Sequence, residues 1–170
     1  EKLSGKGDTS QKLTLMKTSA DSLKKSADAL NDSSLWEKKK IKKKDEKTGE
    51  EIEVEDYDWD KITKAVKSFV EDYNDVVKEA GESNTKDVLR NASWMTGMTD
   101  KNSNMLAKIG ITIGKGNKLE LDEDALKQAD ISSLKTVFTG YNSFVSKISQ
   151  KATGISNAAN RASATYTNNG

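Results

Sequence analysis

Apolar residues recur at alternating three- and four-residue spacings in three stretches of this chain, and that alternation restricts what it can fold into. Leu13, Met16, Ala20, Leu23, Ala27 and Leu30 keep the first seam. Trp59, Ile62, Val66, Phe69, Tyr73, Val76 and Ala80 keep the second, with Val70 and Val77 widening it. Leu134, Val137, Tyr141, Phe144, Ile148, Ile155, Ala158 and Ala162 keep the last, with a polar gap at Lys151. This spacing places side chains on one narrow face of an α-helix, the face that bundles and coiled coils bury. The chain also has 0 prolines in 170 residues, where average usage gives roughly 8. An interior proline costs a helix ~3 kcal/mol, so the composition favours uninterrupted helices.

Boundary chemistry predicts helices over 10–31, 58–81, 85–108 and 132–165. Ser10 is the expected first cap, residues 31–34 (NDSS) a stop, and Gly81 a terminator. Residues 1–9 read as a frayed lead-in. Val88, Ala92, Met95, Leu106 and Ile109 hold the third helix, but its polar middle, TGMTDKNSN, predicts a bend or break. The last helix starts near Ser132 or Ser133, and beyond Gly154 its stripe thins to alanines that need a partner helix for order.

Two segments break the helical period. Residues 36–57 run basic, turn, then acidic. Folding them at residues 46–49 sets Lys40 against Glu55, Lys42 against Glu53, Lys44 against Glu51, and Ile41 against Val54. Opposite charges across a ladder contribute roughly 0.2–1 kcal/mol each, so the expectation is a charge-paired hairpin. The adjacent acids neutralise the lysines, which argues against a polybasic patch for nucleic acid or acidic lipid. In residues 109–122 the period becomes two: Ile111-Thr112-Ile113 and Lys118-Leu119-Glu120-Leu121 flank a Gly114-Lys115-Gly116-Asn117 turn. Asp122 then caps a brief helix over Ala125 and Leu126.

The predicted fold is therefore mainly α: one elongated antiparallel helical bundle or coiled-coil stalk spanning 1–170, with two small β-hairpins. Hydrophobic residues make up 34% and charged residues 32%, while Lys+Arg 28 nearly cancels Asp+Glu 27. Disorder usually accompanies high net charge, so elongated helices fit better. Cys 0 and His 0 remove the common nucleophile–base pairs, most zinc sites and haem ligation. The expectation is no enzyme activity, no catalytic residue, no cofactor and no metal. Gly110 to Gly116 lacks the spacing and the hydroxyl of a phosphate loop. Asp56, Asp58 and Asp60 open like a calcium loop, but its sixth and twelfth positions hold Lys61 and Lys67. Trp36, Trp59 and Trp94 are expected in core packing rather than on a ligand platform. No stretch approaches the roughly 20 apolar residues of a membrane span.

The segment 68–75, SFVEDYND, resembles the FVxxYN segment of the flagellar filament cap (hook-associated cap) family. Leu106 to Ile113, then Gly116 to Leu126, is similar to that family's "leucine, isoleucine-glycine-isoleucine" strand followed by "G-x-L-x-L-D-E-x-x-L". Val137-Phe138 sits where the family often has "V-x-x-L-F", and residues 22–35 resemble the helix preceding the cap's outer domains. The resemblance covers residues 13–150 in order. It implies a helical stalk with a small β element, export through the flagellar channel to the bacterial flagellum or extracellular surface, and ring assembly at the filament tip, where a cap helps flagellin fold. Family members usually carry large outer domains where this chain has only the charged hairpin, so the resemblance is to a short variant and the outer domains' roles are not carried over.

The expected function is structural: self-assembly, binding of flagellin or other flagellar axial proteins, or both, through long amphipathic helices. Leu13, Leu23, Leu30, Tyr141, Phe144, Ile148 and Ile155 are the expected assembly interface. The partners expected are copies of the chain and flagellar axial proteins, with no nucleic acid. The alternative is a bacterial cell-surface adhesion module that uses the charged hairpin tip.

Overall fold

The computed structural model describes residues 8–169. The first seam forms α1 (Ser10–Leu30). Thr9, not Ser10, caps it: Thr9 is extended, and its hydroxyl oxygen accepts the Lys12 amide at 3.1 Å. After a short 3-10 turn, Ser33–Trp36, the charged segment forms a two-stranded ribbon, β1 (Lys39–Lys44) and β2 (Glu51–Asp56). Its register is the expected one, with Lys40, Lys42 and Lys44 opposite Glu55, Glu53 and Glu51, and Ile41 opposite Val54. Gly49 supplies the positive φ of the turn at 73°.

The second seam forms α2 (Trp59–Gly81), capped by Asp58, which accepts the Lys61 amide at 3.1 Å. The third stretch divides into α3 (Lys86–Lys101) and α4 (Ser103–Ala107). The break falls at Asn102, whose side-chain amide donates back to the Met98 carbonyl at 2.8 Å; Gly97 stays inside α3. The second hairpin pairs β3 (Ile111–Ile113) with β4 (Leu119–Leu121), and α5 (Glu123–Gln128) follows, capped by Asp122.

The expected single helix over 132–165 is two: α6 (Ile131–Phe138) and α7 (Phe144–Asn169). Gly140 has φ 105°, outside helical space. Ser143 starts α7 afresh by accepting the Ser146 amide on its hydroxyl at 3.1 Å. A Gly followed three residues later by Ser is a stop and a start, and those two local signals override the apolar spacing that runs through them.

Helix α1 packs on α2 and α7, and α3 packs on the same two, closing a ring of four helices. Neighbours run in opposite directions. Asp21 meets Ser156 while Asp28 meets Ser149; Asp87 meets Arg161 while Lys151 meets Trp94. The arrangement is an up-down-up-down bundle. Its core is one continuous cluster in which Ile155, Ala158 and Ala159, beyond Gly154, are buried. The partner helix that this thin stripe required is α1 of the same chain.

An aromatic stack closes the end of the bundle that carries the ribbon. Trp36 stacks on Phe138 with centroids 5.6 Å apart and planes at 11°, and its indole donates to the Leu30 carbonyl at 2.7 Å. Phe69 lies edge-on to both Phe138 and Phe144. Burying side chains of this size contributes about 1.5–3 kcal/mol each. Trp59 is half-buried. Trp94 departs from the expectation: it is 45% exposed, and Lys151 lies over its ring at 4.2 Å. The polar gap in the last seam is thus a surface cation–π contact.

Candidate assembly interface

The hairpins and helix ends are held by a small set of polar clamps. Asn74, one turn beyond the buried Phe69 and Val70, projects from α2 toward the second hairpin. It accepts the Leu119 amide at 2.7 Å and donates to the Leu119 carbonyl at 3.0 Å. A side-chain amide thereby acts as one residue of a third strand. Tyr73 beside it is fully buried and donates to the Thr99 hydroxyl at 2.8 Å; burial pushes its phenol up to about 12. The aromatic, Tyr and Asn positions of the first motif therefore each fasten a different element, and Asn74 ties that motif to the second.

Gly110 explains why the second motif needs glycine. Its φ is 90°, and a Cβ there would overlap the Asp122 backbone carbonyl. The strand can then return so that the Asp122 amide bonds the Gly110 carbonyl at 2.8 Å.

Asn31 makes a second clamp of the same kind. It accepts the Gly140 amide at 2.9 Å and donates to the Gly140 carbonyl at 3.2 Å. The α6–α7 corner is thereby fixed to the end of α1, and it presents Tyr141, 93% exposed.

Asp8 belongs to the lead-in expected to be frayed. It is buried, and its carboxylate accepts from the Ser83 hydroxyl, the Asn84 amide, and the Thr85 amide and hydroxyl at 2.6–3.1 Å. Residues 1–7 of that lead-in lie outside the described residues. Thr85 makes no side-chain cap for α3, so Asp8 supplies the negative charge at that N-terminus from a distant part of the chain. Burial pushes its carboxyl up, and the bonds from Thr85, Asn84 and Ser83 with the Lys12 charge more than offset this, holding it below its ordinary value.

Of the seven residues expected at the interface, Leu13, Leu23, Leu30, Phe144, Ile148 and Ile155 are all within 4% of complete burial inside the chain's own core. Only Tyr141 faces outward. The seam spacing identifies a buried face without saying whose helix buries it. The outward apolar positions missed by that reasoning are Leu15, Leu89, Trp94 and Ile52; Leu15 and Leu89 lie off the seam, which is the signal that would have found them. Between α2, α3 and the second hairpin's turn lies an open groove of about 460 Å³ lined by Val77, Leu89, Ala92 and Lys118 among others. Among the described residues no group of three or more His, Cys, Asp or Glu side chains is placed to hold a metal ion, and no helix is long and apolar enough to cross a membrane. Asp58, from the calcium-like run, caps α2 instead.

Helix-to-hairpin clamps, a closed bundle and a protruding ribbon together define a structural helical module. The family model described as the flagellar hook-associated protein 2 C-terminus matches residues 83–170, and the chain belongs to that family. Its role is that of a flagellar cap-type structural protein. No curated protein and no solved structure matches the chain.

Proposed function

We propose that the chain is an exported assembly protein of the filament cap. In this reading it associates with copies of itself and with flagellin or other axial subunits at the filament tip. The observation that carries it is the family match, which takes in the second hairpin and helices α3 to α7. The contacts are made by outward positions of the bundle: Tyr141 at the clamped corner, Leu15 on α1, and Leu89 with Trp94 on α3, all exposed large apolar side chains. Exposed aromatic anchors on a rigid frame are the usual carriers of interface energy. The heptad seams support that reading indirectly, by keeping the frame rigid.

Size-exclusion chromatography with light scattering tests it, run on the whole chain with and without flagellin purified from the same source. A discrete oligomer or a complex with flagellin is expected. A monomer at every concentration that leaves flagellin's elution unchanged would contradict the proposal.

A further inference from the structure

The ribbon segregates its charges by strand. β1 carries lysine at every position but one, and β2 carries an acid at every position but two. Its sheet has only these two strands, so each strand keeps one edge without a strand partner among the described residues. Free edges are templates for further pairing, and charge is the usual means of blocking it. Here the block is selective. Lysine strand against lysine strand, or acidic strand against acidic strand, sets like charges opposite each other, which is destabilising. Lysine strand against acidic strand repeats the register already made within the ribbon.

The two faces agree with that selection. Lys40, Lys42, Lys44 and their acidic partners share one face; Ile41, Ile52 and Val54 share the other with Lys39, Lys43 and Asp56, and Ile52 is 39% exposed. A neighbouring ribbon added in the same register would continue the charged rows on one face and, on the other, set Ile41 beside Val54 and Lys39 beside Asp56.

We infer that the lysine edge of β1 in one copy pairs, antiparallel, with the acidic edge of β2 in a second copy, joining ribbons head to tail. The partner is a second copy because this chain itself carries the complementary strand. Such a contact is heterologous: each copy uses a different edge toward each neighbour, so it builds rings when the rotation closes. The ribbon pair is weak alone, and the inference rests on the assembly reading for bringing copies close enough for the edges to meet.

The chain has 0 cysteines, so single substitutions provide unique thiols. Lys42→Cys and Glu53→Cys lie on exposed positions of the two strands, away from the core. The two whole-chain variants are mixed, treated with a short bis-maleimide, and analysed by mass spectrometry, with circular dichroism confirming retained helix. The mixed cross-link is expected to exceed either homotypic one by about tenfold, and to fall when salt reaches about 1 M, where the screening length is ~3 Å. Light scattering on the same samples separates the two readings. Oligomers with no cross-link, or with homotypic cross-links as abundant as mixed ones, overturn the ribbon contact and leave cap assembly standing. Monomers with no cross-link overturn both.

Discussion

Asp21 on α1 accepts a hydrogen bond from the Ser156 hydroxyl on α7 at 2.6 Å, and one heptad along, Asp28 accepts from Ser149 at 2.7 Å. Each aspartate also holds a lysine one turn earlier on its own helix, Lys17 and Lys24. The polar pattern thus repeats with the apolar one, and a sliding of α7 by one turn would break both bonds. Each bond contributes about 1 kcal/mol net, and the sites are about 10 Å apart along the helix, so their effects should add. Urea unfolding of Asp21→Ala, Asp28→Ala and the double variant is expected to show about 1, 1 and 2 kcal/mol lost.

Asn74→Ala removes both bonds to Leu119 and leaves the backbone of a buried strand residue without those partners. A loss of about 1–3 kcal/mol is expected. The Leu119 amide should lose hydrogen-exchange protection while amides in the middle of α1 keep theirs. Asn74→Asp retains the acceptor for the Leu119 amide and should fall between the two.

Gly110→Ala places a Cβ against the Asp122 carbonyl at φ 90°. Residues held in such backbone regions cost about 1–3 kcal/mol, and the overlap adds to that. The melting temperature should fall, whereas Gly97→Ala, inside α3 where a Cβ meets nothing within 4 Å, should hold or raise it.

Acid stability should divide by residue. Asp8 has a lowered folded pKa, so it contributes stability above the ordinary carboxylate value of about 3.9 and loses it as pH falls through the folded value. The stability difference between the wild type and Asp8→Asn should shrink as pH drops from about 6 to about 3. Asp72 is the opposite case: burial raises its carboxyl, the Ser26 hydrogen bond lowers it less, and Asp75 and Glu71 raise it further. Its charge opposes folding at neutral pH, so Asp72→Asn should raise the urea midpoint there. That gain should vanish in acid, where the carboxyl is protonated in both states.

Ile148 and Tyr141 separate frame from contact. Ile148→Asp buries a charge at 0% exposure and should unfold the bundle. Tyr141→Ser should leave stability within about 0.5 kcal/mol of wild type and weaken association. Helicity and light scattering on both variants check this.

Strong periodicity made α1, α2 and both hairpins readable from the sequence, and pairing Lys40 with Glu55 set the ribbon's register. The same signal misled in 132–165, because Tyr141 continues the spacing while Gly140 and Ser143 end one helix and begin another. Unlike the Asp21 and Asp28 bonds, the single long-range clamps leave no periodic trace. Asp8 lies 77 residues from Thr85 and Asn31 lies 109 from Gly140, so nothing local announces those clamps. The expected interface residues come from the most apolar face, and all but Tyr141 are buried in the chain's own core. The large apolar side chains left exposed on the helices, Leu15, Leu89 and Trp94, lie where that spacing does not mark them.

Immunogold electron microscopy of flagellar filaments, using antibody raised against the whole chain, tests the central claim most directly. The account predicts gold at the distal filament tips. Gold along the filament length or on the cell body, with bare tips, would contradict it.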